Sequence, residues 1–273
     1  KTFKAKVIVD GVEKKPLIER IKEAAYPYFA SAGVVTAFED NSGGMDFFED
    51  LVVLAKVETH NSPSAIEPRG GAMTGTGGVV RDIIGTGKVA KTILSTDMFF
   101  FAPPDLDPAK LPPGTLPPDY LFTHVVGGVR DYGNPLGIPT ANGSVHFHEN
   151  ARAKPSVIVG AYGIIPKERA QKGYPEIGDL VIAVGGRTGR DGIHGATFSS
   201  GEMTDRTISV NSTAVQIGDP IQEKKMSDAL LEAAEAGLVR AITDCGAAGF
   251  SSAVGEMGEE TGVKIDLSKI LVK

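Results

Sequence analysis

Seven glycines fall within the nineteen residues 69–87, RGGAMTGTGGVVRDIIGTG. Each residue without a Cβ weakens a helix or strand that contains it by roughly 0.5–1 kcal/mol relative to alanine. The spacing therefore predicts a loop, with at most a short helix from Gly77 to Ile84. A second glycine-rich loop is expected at 186–200, GRTGRDGIHGATFSS. The excess is general, with 34 glycines in 273 residues, nearly twice the usual share of roughly 7%. No G-X-Y period accompanies them, which excludes a collagen-like chain. Hydrophobic residues at 41% and charged residues at 23% are globular proportions and exclude disorder.

A single cysteine excludes a disulfide framework and a cysteine-based zinc site and suits a reducing, cytoplasmic location. No apolar run approaches the roughly 20 residues needed to span a bilayer, and KTFKAK leads into no signal-peptide core. A net charge of −6 argues against nucleic acid as a partner.

Along the chain, strands and helices mix, so the fold class is α/β (α+β mixed). KAKVIVDG (4–11) alternates and ends in Asp-Gly, predicting a strand and turn. Pro16 to Tyr28 reads as a helix, and FEDLVVLAKVETHN (48–61) as a strand with a buried centre. Strand-like 93–102 precedes a proline-rich surface insertion at 103–121, and 125–147 reads as short strands and tight turns. A composition shift near Ala151–Pro155 divides the chain into units 1–152 and 153–273. In the second unit, 156–165, 178–186, 238–246 and KIDL read as strands. Helices are expected at 220–237 and from Ser251 to Thr261.

The densest polar cluster is Lys56-Val-Glu58-Thr59-His60-Asn61-Ser62. On a strand, Lys56, Glu58 and His60 share one face. They suit a phosphorylated ligand: a cation, a hard oxygen donor for Mg²⁺, and an acid–base or charge-stabilising group. A solvated edge-strand face is the alternative. Arg81 and Asp82 follow the glycines, where backbone N–H groups can approach phosphate and Asp82 adds a second oxygen ligand, although the glycines also fit plain turns. Arg187, Arg190, Asp191 and His194 offer a further phosphate or ribose grip, or a solvated loop. Asp219 before Pro220 reads as a helix N-cap, and Asp244 as either a ligand-binding carboxylate at a strand end or another cap. Cys245 has no fixed base beside it, and His146 and His148 lack a third zinc ligand.

KVETHNSPSAIEPRGGAMTGTGGVVRDIIGTG strongly resembles the signature of the phosphoribosylformylglycinamidine synthase family. DYGNPLGIPTANGSVHF, GGRTGRDGIHGATFSS, AVQIGDPIQEK and ITDCGAAGFSSAVGEM are similar in family order across nearly the whole chain. The resemblance implies the aminoimidazole ribonucleotide synthetase fold. In that fold an N-terminal domain's sheet pairs with another copy into a β-barrel beside a C-terminal α/β domain, which is expected to be incomplete here. It implies ATP- and Mg²⁺-dependent conversion of formylglycinamide ribonucleotide (FGAR) to formylglycinamidine ribonucleotide in purine biosynthesis. An iminophosphate is attacked there by ammonia from glutamine. The implied partners are a glutaminase subunit or domain and a second synthetase-like half or homodimer.

Carried over by position, the resemblance makes Lys56 the ATP contact and His60 the catalytic histidine beside the substrate amide. Thr59, Asn61, Ser62, Arg81 and Gln216 would contact the ribonucleotide. Glu58 would hold one magnesium, and Asp82 and Asp244 a second. Ser62 stands where the family usually has a histidine. The family's WSEHC-like and ESQER-like motifs are absent, so the sequence is expected to be the first half of a longer enzyme. The alternative is a non-catalytic nucleotide-binding half or fragment that supports an active partner. Phosphorylation of thiamine monophosphate or selenide, and carbamoyl dehydration, fit the HNSPSAIEP and TGRDGIHGA segments poorly.

Overall fold

The period-two pattern of 51–59 folds as a strand at the middle of a six-stranded sheet in a computed structural model of the chain. The structure describes residues 2–199, 201, 203, 204, 207 and 214–272; Ser200, the last residue of the expected loop at 186–200, lies outside them. A hairpin comes first, β1 (Val7–Val9) and β2 (Val12–Lys14), turning on Asp10 and Gly11, both at positive φ as a two-residue hairpin loop requires. Helix α1 (Leu17–Ala25) follows.

The sheet contains β3 (Val34–Thr36), β4 (Gly43–Asp46), β5 (Leu51–Thr59), β6 (Lys91–Phe101), β7 (Thr140–Phe147) and β8 (Ser156–Pro166), in the order β3-β4-β5-β8-β6-β7. Only β6 and β7 run parallel as neighbours. The short α2 (Asn61–Ile66) and the long α3 (Pro68–Ile84) cross from β5 to β6, and α4 (Pro118–Leu136) crosses from β6 to β7. Both long helices cover one face of the sheet. Val52 and Leu54 of β5, Val79 and Ile83 of α3, Phe99 and Phe101 of β6, Val125 and Val129 of α4, and Val157 and Ile165 of β8 form the core there. The opposite face is apolar and exposed at Met45, Val57, Phe100 and Tyr162.

The glycine-rich stretch is a helix rather than a loop. Pro68 opens α3, and the Glu67 side chain caps it by accepting from the Gly70 N–H. Gly71, Gly75 and Gly78, spaced i, i+4 and i+7, form a bare stripe facing α2, His60 and Glu58. A Cβ on Gly71 would stand 2.5 Å from the α2 backbone. Close packing thus offsets the propensity loss, while Val79, Val80, Ile83 and Ile84 anchor the C-terminal half in the core.

Residues 125–136 are likewise helical, correcting the strands and turns expected there. Val125, Val129, Tyr132 and Leu136 recur at helical spacing and are buried, and α4 ends on Gly137 in the left-handed region. Only Thr140–Phe147 of that stretch is a strand. The proline-rich segment contributes one 3₁₀ turn, Pro108–Lys110, and its last residues begin α4.

β8 lies beyond the expected division at 152/153 yet occupies the sheet between β5 and β6. We place the division after Pro166 instead, because cutting before β8 would split the sheet into β3-β4-β5 and β6-β7. In the second unit the described residues form the helices Gly195–Ser199, Pro220–Glu235 and Phe250–Met257 and 3₁₀ turns at Lys167–Arg169 and Leu267–Lys269. The strands expected at 178–186, 238–246 and KIDL do not form. A strand needs a neighbour, and among the described residues these segments have none; the isolated bridge Thr188–Val272 lies outside them. Their apolar side chains face solvent, as at Leu180, Ile182 and Leu238.

Candidate active site

Strand alternation on β5 sends Val52, Leu54, Lys56 and Glu58 to the face that α3 covers. The hydrophobic pair is packed in the core. The polar pair lies where the glycine stripe of α3 makes room, with the Cβ position of Gly78 3.5 Å from Glu58 Oε2. One turn beyond Gly78, Asp82 projects from α3 to the same place. Lys56 Nζ bridges the two acids, 2.9 Å from Asp82 Oδ2 and 3.3 Å from Glu58 Oε1. Asp244 approaches from the second unit, its backbone nitrogen 3.2 Å from the Cβ position of Gly85 at the end of α3.

These charges perturb one another. Burial raises the Asp82 carboxyl, the Lys56 hydrogen bond opposes it, and the Asp244 and Glu58 charges add to the rise, leaving it pushed up to about 7. Asp244 is raised by burial, which Arg81 opposes and Glu58 reinforces. Burial works against the Lys56 ammonium, but Asp82 and then Glu58 hold it above its ordinary range. His60 is lowered by burial, against the opposing pull of the Gly71 carbonyl and Glu58, so its imidazole is neutral near pH 7. Its Nδ1 is buried with no hydrogen-bond partner among the described residues. Gly75 backs directly onto the His60 side chain, 2.9 Å from Cβ to Cβ position.

The other expected residues are placed differently. Thr59 is exposed on the opposite sheet face. Asn61 Oδ1 accepts from the Val157 N–H at 2.7 Å, tying α2 to β8. Ser62 is buried and its hydroxyl donates to the Ser199 carbonyl at 3.2 Å. Gln216 is docked through its backbone, whose carbonyl accepts from Thr74 Oγ1 at 3.0 Å, and its side chain packs beside Gly192. Asp219 caps the Pro220–Glu235 helix by accepting from the Gln222 N–H at 3.1 Å. Arg187, Arg190 and His194 are exposed, and Asp191 Oδ2 accepts from the Ile217 N–H at 3.3 Å.

Arg81 turns away from the Lys56 pair toward Glu223, with Nη1 3.0 Å from Oε2. Tyr132 Oη donates to the same oxygen at 2.6 Å. Neither Glu223 nor Tyr132 was expected from the sequence. The signal for Glu223 is its spacing, since 223, 226, 230 and 234 form one stripe with Met226, Leu230 and Ala234.

Residues 39–165 match the AIR synthase related protein, N-terminal domain, and residues 176–273 match the AIR synthase related protein, C-terminal domain. The chain belongs to the AIR synthase related family. Among curated members, the subunit PurL of phosphoribosylformylglycinamidine synthase from Thermoplasma volcanium is 43% identical over 243 residues, covering 88% of this chain and 31% of the relative. The chain thus spans about a third of the length of that relative. Among solved structures, T. maritima PurL complexed with FGAR is 30% identical with a TM-score of 0.71, covering 90% of this chain and 38% of that one. T. maritima PurL complexed with ATP has a TM-score of 0.64 at 30% identity, covering 85% of this chain and 33% of that one. The mixed α/β architecture with an open sheet is the fold of this AIR synthase related family.

Among the described residues, no three His, Cys, Asp or Glu side chains converge into a closed metal cage. Mg²⁺ asks for less: one or two carboxylates, with phosphate and water oxygens completing its shell. Glu58, Asp82 and Asp244 are all hard oxygen donors. The Asp82 and Asp244 carboxyls are raised first by burial and then by neighbouring carboxylates, and a dication beside them would favour their anions. The residues present therefore fit Mg²⁺.

Proposed function

We propose that this chain is the FGAR- and ATP-binding portion of an enzyme that makes formylglycinamidine ribonucleotide from FGAR, ATP and ammonia. The observation that carries this is the Lys56–Glu58–Asp82 cluster, set on β5 and α3, with Asp244 and Arg81 in electrostatic reach. The likeness to a PurL complexed with FGAR and one complexed with ATP supports the substrate assignment.

In this reaction phosphoryl transfer makes the FGAR amide oxygen a leaving group, and ammonia displaces phosphate from the resulting iminophosphate. The balance is one FGAR, one ATP and one ammonia giving product, ADP and phosphate. Such chemistry needs cations and positioned oxygens more than a protein nucleophile. Lys56 would bind nucleotide phosphate, exchanging its carboxylate partners for it. Glu58, Asp82 and Asp244 would hold Mg²⁺, which supplies charge neutralisation at the phosphates when bound. Neutral His60 would stabilise charge developing at the amide. Arg81, with Asn61, would grip the ribonucleotide. Ser62 and Gln216 would add substrate contacts, whereas Thr59 lies on the opposite sheet face.

Ammonia would come from a glutaminase subunit or domain, and a second synthetase-like half or a second copy would cover the exposed sheet face. The reaction belongs in the cytoplasm, and the lone free Cys245 suits that reducing compartment. No helix of the described residues is long and apolar enough to cross a membrane.

His60→Ala in the enzyme carrying this segment tests the assignment. Charge stabilisation by a histidine is worth about 10²–10⁴-fold in rate, so kcat should fall by that order with either ammonia or glutamine as nitrogen source. Loss with glutamine alone would place His60 in ammonia delivery instead.

A further inference from the structure

Glu223 is only 5% exposed and Tyr132 only 1%. They meet where α3, α4 and the Pro220–Glu235 helix join, and both Tyr132 Oη and Arg81 Nη1 donate to Glu223 Oε2, at 2.6 and 3.0 Å. The second oxygen, Oε1, is buried with no partner among the described residues. Backbone on both sides is cleared for the tyrosine ring. A Cβ on Gly77 would stand 2.5 Å from Oη, and one on Gly218 would stand 2.6 Å from Cε2.

A buried ion pair of this kind is a poor means of stabilising a fold, because well-packed apolar residues of similar volume do as well or better. It does fix direction. A guanidinium carries five N–H donors in a rigid fork. Glu223 occupies one corner, so the rest of the fork is aimed by that grip. The Arg81 charge bears on Asp244, favouring its anion, and on His60, disfavouring its cation. Arg81 therefore lies between the Glu223 anchor and the proposed catalytic groups.

We propose that Glu223, held by Tyr132, is a positioning residue that anchors one edge of the Arg81 guanidinium and thereby presents its remaining donors to the phosphate of the ribonucleotide. This role rests on Arg81 contacting FGAR, as proposed above. It makes Arg81 of the first unit dependent on a helix of the second, so correct docking of the two units becomes a condition for substrate binding. Glu223 itself touches no substrate.

Calorimetric titration of FGAR and of MgATP into the full chain and its variants tests this. Loss of one charge-assisted hydrogen bond corresponds to about tenfold in affinity. Glu223→Gln should weaken FGAR by that factor and leave MgATP unchanged, and Tyr132→Phe should act in the same direction by less. Glu223→Gln keeps the side-chain shape, which guards against a variant that fails to fold. In an Arg81→Ala background, adding Glu223→Gln should change nothing further. A purely structural Glu223 would instead weaken FGAR and MgATP alike, or add its loss to that of Arg81→Ala, and either result overturns the proposal. FGAR binding unaffected by Glu223→Gln overturns it too. A wild-type chain that binds MgATP but not FGAR removes the substrate assignment itself, a distinguishable failure.

Discussion

Asp97 shows how one carboxylate sets a pH dependence in this fold. It lies on the helix-covered face of β6, where Oδ2 accepts from Thr140 Oγ1 at 3.3 Å and Oδ1 is buried without a partner among the described residues. Burial pushes its carboxyl from 3.8 up to about 6, against the opposing Thr140 hydrogen bond. The native state therefore holds this proton more tightly than the unfolded chain. Stability is fullest below about pH 4 and falls as pH rises to about 6, by on the order of 2–3 kcal/mol. Asp97→Asn keeps the shape without the charge. Its denaturant unfolding should show higher stability at pH 7.5 and no slope from this group between pH 4 and 6. An unchanged pH profile would show that Asp97 is solvated in the folded state. At this scale the sequence was partly legible. Lys56 and Glu58 share a face because strand alternation is a local rule, and Asp219 caps because its cue lies within three residues. The bond from Val157 to Asn61 joins positions 96 apart and depends on where β8 enters the sheet, which no local pattern records.

Among the elements, α3 is the most informative. Its glycines lower local helix propensity, yet tertiary packing overrides that because neighbours come too close for side chains. The same logic separates two adjacent positions. Gly77→Ala places a methyl against Tyr132 and should destabilise by about 1–3 kcal/mol, the usual range for overpacking. Gly78→Ala meets only Glu58 Oε2 at 3.5 Å and should be neutral or stabilise by up to about 1 kcal/mol. Thermal unfolding of both variants checks this, and equal effects would show that propensity rather than packing governs the helix. The same override concealed α4, whose Gly127, Gly128, Gly133 and Pro135 read as turns although Val125, Val129, Tyr132 and Leu136 carry a helical period. The segments 178–186 and 238–246 err in the other direction. Their apolar pattern suits strands, but strand formation is settled by partners rather than by the segment.

At the scale of the whole molecule, the sheet is covered on one face and bare on the other. Val57 is 53% exposed and Phe100 and Tyr162 are each 37% exposed, so an apolar surface faces solvent where monomeric proteins usually bury one. Self-association is expected, since a stable interface needs roughly 800 Å² per partner and a sheet face of this kind supplies a contiguous surface. Light scattering at rising concentration should show a dimer or larger species. A monomer at high concentration would mean that the face is tolerated in water. The proposed nucleotide and metal site lies on the opposite side of the sheet, where Lys56, Glu58 and Asp82 meet beneath α3. Its most direct test is calorimetric titration of ATP with Mg²⁺ into the wild-type chain, Glu58→Gln and Asp82→Asn. Both variants should bind at least about tenfold more weakly, the scale of one lost charge-assisted contact, while their unfolding midpoints stay near wild type. Unchanged MgATP affinity in both would contradict the placement of nucleotide and metal at this cluster.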